Sequence, residues 1–260
     1  MKTIAQATGT APADSACLGL YKIGAAAAVT AALIFRRNLD AEFMLLRTLG
    51  LFHTGPAVAP GTIDGWFALL QQNELLGLTL LNLFDIANYA LVGVILLALC
   101  AALRRASASG MALAATLGFT GVTVYLATNQ AFALLSLSRQ YTAATAGAER
   151  ALILAAGQAA LAIHGNASYA GAGPYLSYFL VSTAGLIISA VMLRGRLRVF
   201  SKGSAYTGLL ANSIGLGYYL VLPFAPALVA VPISISAVFL LIWYLQVGGR
   251  LWALGSLKTA

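Results

Sequence analysis

The stretch LLNLFDIANYALVGVILLALCAALRR, Leu80 to Arg105, decides the class of this protein. Its later part is an apolar run long enough to cross a bilayer core of about 30 Å, which takes about 20 helical residues. Arg104 and Arg105 stop that run. Its earlier part carries Asn82, Asp85 and Asn88, spaced three apart and so close to one helical face. The stretch therefore reads as a membrane span with a polar group of residues near one of its ends.

The rest of the chain agrees. Of 260 residues, 60% are hydrophobic and 8% charged, and the mean hydropathy is +0.88. A soluble domain carries about 25% charged residues. Too few charges remain here to wet a globular surface, so the solvent of most of the chain is lipid. Six stretches qualify as spans, near residues 17–35, 75–103, 111–135, 173–193, 205–222 and 226–247. The expected fold is all-α: one transmembrane domain over 1–260, a six-helix bundle with two extracytoplasmic cap segments. A charged start before an apolar run also describes a signal peptide. Here the run is too long for one and Arg36 and Arg37 follow it, so it reads as a retained first helix.

The net charge of +8 sits in short clusters at span ends, which excludes a nucleic-acid interface and sets orientation instead. With the N-terminus inside, Lys2, Lys22, Arg104, Arg105, Arg194, Arg196, Arg198, Lys202, Arg250 and Lys258 are cytoplasmic, and Arg36, Arg37, Arg47, Arg139 and Arg150 are outside. That bias puts both termini in the cytoplasm. The segment ERALILAAGQAALAIHG, 149–165, tempts a seventh span, which would carry the Arg194–Lys202 cluster outside. It is short and has Gln158 at its centre, so it reads as an interfacial or partly buried helix.

Counting about 20 residues from the basic clusters gives depth. The outer edge of the second span falls near Phe84, with Asp85 just beneath it. Asn129 and Gln130 on the third span, and Pro174, Tyr175 and Tyr178 on the fourth, reach the same level. The midplane holds Thr120, Thr123, Ser182, Thr183, Asn212, Ser213 and Ser236, small polar groups suited to close helix packing. Gly118 with Gly121, and Gly215 with Gly217, fit the same use. No acid or histidine lies deep, and no internal repeat or matching helix break is evident, which disfavours a proton-coupled or inverted-repeat transporter.

Two long outer segments, 36–74 and 136–172, are expected to form the cap. HTGPAVAPGT at 53–62 reads as loop, and IDGWFALLQQ at 63–72 as a short interfacial helix with Trp66 at headgroup level. The second span is overlong, so its start near Leu75 should project into the cap. Asp85 reads either as a ligand anchor or as a boundary carboxylate satisfied by neighbours. Arg139 is placed to pair with Asp85 or Glu149, and Thr145 to cap the helix that begins near Glu149. His53 and His164 with Asp85 or Glu74 lack tight ligand spacing, so no metal site is expected. Tyr175, Tyr178, Tyr218 and Tyr219 read mainly as belt aromatics, and Cys17 and Cys100 as apolar packing without a disulfide. Asn166-Ala167-Ser168 matches a glycosylation acceptor, relevant only in a eukaryotic secretory pathway. No phosphate-binding loop, dinucleotide fingerprint, nucleophile elbow or metalloprotease motif occurs, so no catalytic residue and no cofactor is assigned.

At LLNLFDIANYALVG, AERALILAAGQAALAIHG and VLPFAPALVAVPI the chain resembles a family of bacterial multi-pass membrane proteins of similar size, known only as a domain of unknown function. The resemblance runs from the first span to the last and implies a six-helix inner-membrane protein. It implies no substrate, and only Asp85 and Asn88 correspond to a polar position of that family. The leading expectation is a protein that binds a lipid or small amphipathic molecule near the outer leaflet, for sensing or passage, through Asn82, Asp85, Asn88, Asn129, Gln130 and Tyr178. The alternatives are a membrane enzyme with an outer-surface site at Asp85, Glu74, His53 and His164, and an accessory subunit of a membrane complex without its own ligand. The lipid bilayer is the one partner the sequence names; a protein partner is not legible in it.

Overall fold

The computed structural model describes residues 17–38, 59–164, 171–195, 199–225, 228 and 230–257. His53, Arg47, Arg196, Arg198, Lys2, Lys258, Asn166 and Ser168 lie outside the described residues, as do the side chains of Arg36, Arg37 and His164. The regular structure is helical, with no strand among the described residues. In chain order the helices are α1 (Leu18–Asn38), α2 (Ile63–Gln72), α3 (Glu74–Leu80), α4 (Leu83–Leu103), α5 (Ala108–Thr128), α6 (Ala131–Ala143), α7 (Gly147–His164), α8 (Ala172–Arg194), α9 (Lys202–Leu216), α10 (Tyr218–Phe224) and α11 (Ala230–Gly255).

Among the described residues, five helical stretches are long and apolar enough to cross a membrane: Leu83–Leu103, Ala108–Ala143, Ala172–Arg194, Lys202–Phe224 and Val231–Gly255. Leu18–Ile34 is a shorter apolar helix beside them. The chain is a multi-pass membrane protein. An apolar helix suits that solvent because every backbone N–H and C=O is bonded within its own segment.

Chain contacts divide the protein into two compact units. The first comprises Met1–Asp40, Leu91–Phe119 and Leu180–Ala260. Here small residues let helices approach closely. A Cβ on Gly118 of α5 would lie 2.6 Å from a Leu96 methyl of α4 and 3.4 Å from Ala184 of α8. Gly185 of α8 is covered by the Asn212 amide of α9, and Gly208 of α9 by Ser189 Oγ and Trp243 Nε1 of α8 and α11. Gly248 and Gly255 of α11 meet Ala28 and Lys22 of α1. Contacts that advance along one helix retreat along its neighbour, so each of these pairs is antiparallel. The start of α1 therefore lies against the end of α11.

Several hydroxyls and amides of this unit are satisfied along the same seams, although Tyr218 Oη, Trp243 Nε1 and Gln246 Oε1 are buried without a hydrogen-bond partner among the described residues. Ser236 donates to the Ala211 carbonyl at 2.7 Å, Asn212 Nδ2 to Gly208 O at 2.7 Å, and Ser189 to Gly185 O at 2.7 Å. The packing role expected for Ser182, Asn212 and Ser236 fits their burial, but Thr120, Thr123 and Ser213 are exposed. Gly217 breaks α9 from α10 instead of serving helix packing. Tyr218 is fully buried and so is not a belt residue, whereas Tyr175 is exposed as a belt requires. Cys17 and Cys100 are both free thiols.

The second unit comprises Ala41–Ala90 and Thr120–Phe179. Four short helices, α2, α3, α6 and α7, share a core of Ile63, Trp66, Phe67, Leu70, Leu78, Leu134, Ile153 and Leu161. Local chemistry sets their ends. Thr62 accepts the Gly65 N–H at 3.3 Å to start α2, and Asn73 accepts the Leu76 N–H at 3.0 Å to start α3. Trp66 is not at a headgroup surface: it is fully buried among these apolar side chains. Helix α7 begins at Gly147, beyond Thr145, so Thr145 is not its cap; the Arg150 guanidinium instead reaches back to Ala144 O at 3.0 Å. Helix α7 is 18 residues long and is not among the described helices apolar enough to cross a membrane.

Candidate functional site

Two interruptions position the polar residues of the second unit. The expected span 75–103 is not one helix. Helix α3 ends at Leu80, α4 starts at Leu83, and Asn82 between them has φ 60. Asparagine enters that left-handed region more readily than most residues. Its N–H donates to Thr79 O and its carbonyl accepts the Asp85 N–H, both at 3.1 Å. The expected span 111–135 breaks as well, between Thr128 and Ala131. Asn129 supplies the turn, its Oδ1 accepting the Ala131 N–H at 3.0 Å. Two helix breaks that the sequence did not reveal are therefore present, one at each of two asparagines.

Each break ends a helix of 21 residues, about 32 Å at 1.5 Å per residue, which is one hydrocarbon thickness. The breaks thus fall at the ends of helices of membrane-crossing length. Asp85 is the third residue of α4 and Tyr125 the fourth from the end of α5. Across the antiparallel pair the Tyr125 hydroxyl faces Asp85 Oδ2 at 3.5 Å, a long and weak hydrogen bond. The Tyr125 ring stacks on Tyr89 with centroids 3.8 Å apart and planes 2° from parallel. A face-to-face sandwich is not the arrangement that two rings prefer on their own.

Asp85 and Asn88 are 7% and 4% exposed, so both are taken out of solvent. They lie three apart on α4, hence on one face. Asp85 is the only carboxylate in α4, α5, α8, α9 or α11. Its place in the first turn of α4 lets the helix N-terminus stabilise the anion by about 0.3–1 kcal/mol, and up to about 2 where partly buried. Asn88 Oδ1 is buried with no hydrogen-bond partner among the described residues, and the same holds for Asn129 Nδ2 and Ser177 Oγ. An orphaned buried polar atom carries a desolvation penalty of about 1–3 kcal/mol; among the described residues four such atoms, with Trp66 Nε1, fall in this unit and three in the first.

Helix α8 joins the group through Gly173. A Cβ there would fall within van der Waals overlap of the Thr128 hydroxyl and methyl, so only glycine allows this approach of α8 to α5. Ser177 follows one turn later on the same face of α8 and is completely buried. The residues expected to form the site therefore divide. Asp85 and Asn88 share a buried face, Asn129 lies one turn beyond Tyr125, and Asn82 shapes the backbone. Gln130 and Tyr178 are half-buried in the same unit. Tyr89, Tyr125 and Ser177 were missed by sequence reasoning. Only the helical spacing of Tyr89 from Asp85, at i+4, offered a signal for one of them.

Of the residues named for an enzyme, His53 and the His164 side chain lie outside the described residues, and Glu74 is taken up by another partner. Glu74 is bound bidentately by Arg139, at 3.0 and 2.9 Å, on an exposed part of α3 and α6. Arg139 thus pairs with Glu74, not with Asp85 or Glu149. No group of three or more His, Cys, Asp or Glu able to hold a metal occurs among the described residues. No family model matches the chain, and no curated protein and no solved structure is significantly similar to it, so the resemblance drawn from LLNLFDIANYALVG and the other two stretches identifies no family.

Proposed function

We propose that this multi-pass membrane protein binds a lipid or small amphipathic molecule at the Asp85–Asn88–Asn129 end of α4 and α5, for sensing or passage. The observation that carries the reading is the set of buried, unpartnered polar atoms on Asn88, Asn129 and Ser177 in the unit that also buries Asp85. Buried polar atoms without partners cost stability unless something else completes them. Their place at the end of two membrane-length helices favours a molecule with one polar and one apolar end.

In this reading the chain makes six spans, with α1 as the first, and the helices α2, α3, α6 and α7 form an extracytoplasmic cap. The antiparallel meeting of the α1 start with the α11 end supports termini on one side, and the arginine bias favours the cytoplasm for that side. Reporter fusions after residues 38, 106 and 258 test the orientation. Native mass spectrometry of wild type, Asp85→Ala and Asn129→Ala tests the binding. A molecule retained by wild type and lost from both variants is expected. Bulk lipid alone in all three rejects a specific site and leaves a packed accessory subunit as the better reading.

A further inference from the structure

The first unit gathers positive charge at one end. The Lys22 stem of α1 lies against Gly255 of α11, and Gly24 of α1 lies beside Ala98 of α4. The Cys100 thiol of α4 donates to Met111 O of α5 at 3.9 Å. A Cβ on Gly110 at the start of α5 would lie 3.0 Å from a Val191 methyl near the end of α8. Arg250 of α11 donates to Val199 O, in the connection from α8 to α9, at 2.5 Å. The starts of α1, α5 and α9 and the ends of α4, α8 and α11 therefore meet at one end of this unit. Lys22, Arg104, Arg105, Arg194 and Lys202 are exposed there, and Arg250 is half-buried.

The unit has few acids to set against them. Its whole sequence holds two, Asp14 and Asp40, against twelve lysines and arginines. Both acids together would neutralise two of the six described cations at this end. We propose that this end of the first unit is an interaction surface for anionic phospholipid, which it holds in preference to neutral lipid. The charge bias that orients a chain during insertion needs no lasting contact. Here, tertiary packing brings the cations of six helix ends together, so their potentials add. Exposed apolar side chains accompany them: Ile23 follows Lys22, Tyr206 lies one turn after Lys202, and Trp252 lies two residues after Arg250. A cation beside an exposed aromatic or aliphatic side chain suits a head group and its acyl chain together, a pairing that a soluble polyanion does not use. This surface belongs to the first unit and is independent of the binding reading at Asp85 and Asn88.

The test uses the full chain reconstituted in bilayers of phosphatidylcholine and phosphatidylglycerol, with bromine on the acyl chains of one lipid or the other. Bromine quenches tryptophan on contact. Trp252 is exposed, whereas Trp66 and Trp243 are buried, so Trp252→Phe read in parallel gives the background from those two. At low salt the brominated anionic lipid should quench the Trp252 signal about threefold or more as effectively, mole for mole, as the brominated neutral lipid. The preference should fade toward about 1 M salt, where the Debye length is about 3 Å. Lys22→Gln with Lys202→Gln removes two exposed charges from α1 and α9, which both pack against α11, and should at least halve the preference. Equal quenching of wild type by the two lipids overturns the proposal and needs no variant to fold. A preference that neither salt nor the double variant reduces overturns it as well.

Discussion

Trp66 tests the cap core and its polar bookkeeping together. The indole is fully buried against Phe67, Leu70 and their neighbours, and its Nε1 has no partner among the described residues. Truncating a buried Trp to Ala costs about 3–5 kcal/mol through lost transfer energy and a cavity. The native state already bears about 1–3 kcal/mol for an unsatisfied donor, which the truncation removes. The expected net loss for Trp66→Ala is therefore about 2 kcal/mol. Trp66→Phe sheds the same donor but keeps most of the ring volume, so it should stay within about 1 kcal/mol of wild type. Denaturant unfolding in mixed micelles, followed by circular dichroism and compared at a shared slope, reads both. If Trp66→Phe costs as much as Trp66→Ala, the indole N–H has a partner and the accounting above is wrong. If Trp66→Ala costs less than about 1 kcal/mol, these four helices do not share the core described.

Other substitutions probe single contacts. Gly173→Val should lower stability by about 1–3 kcal/mol because its side chain must displace Thr128, and Gly173→Val with Thr128→Ala should recover part of that in the same unfolding assay. Gly249→Ala, which meets nothing within 4 Å on α11, should be neutral or stabilise by up to about 1 kcal/mol. Asn82→Gly should be tolerated, whereas Asn82→Val should cost about 1–2 kcal/mol by forcing a β-branched residue to φ 60, read as a drop in Tm. Arg139→Ala removes an exposed ion pair and should change stability by no more than about 1 kcal/mol, with the difference vanishing at high salt.

The apolar runs and their arginine ends made the spans legible, because length and hydropathy are set residue by residue and need no knowledge of neighbours. Counting back from Arg104 put the outer edge of this span near Phe84, and α4 starts at Leu83. The interruptions were not legible. Leu80 to Leu83 is apolar apart from Asn82, and a left-handed φ at one asparagine leaves no periodic trace. Trp66 read as an interfacial aromatic because its burial depends on α6 and α7, which are distant in sequence. Tyr125 was overlooked for the same reason: a tyrosine in an apolar helix resembles core or belt until its partner on another helix is known. The pairing of Arg139 with Glu74 instead of Asp85 likewise reflects tertiary placement that charge counting does not see.

The most direct test of the binding reading is an experimental structure of the protein in lipid, at a resolution that shows side chains, inspected at Asn88 Oδ1. The reading predicts non-protein density within hydrogen-bond or ion-coordination distance of Asn88 Oδ1 and the Asp85 carboxylate. A direct bond from Asn88 Oδ1 to another protein side chain, with no bound species beside Asp85, would contradict it.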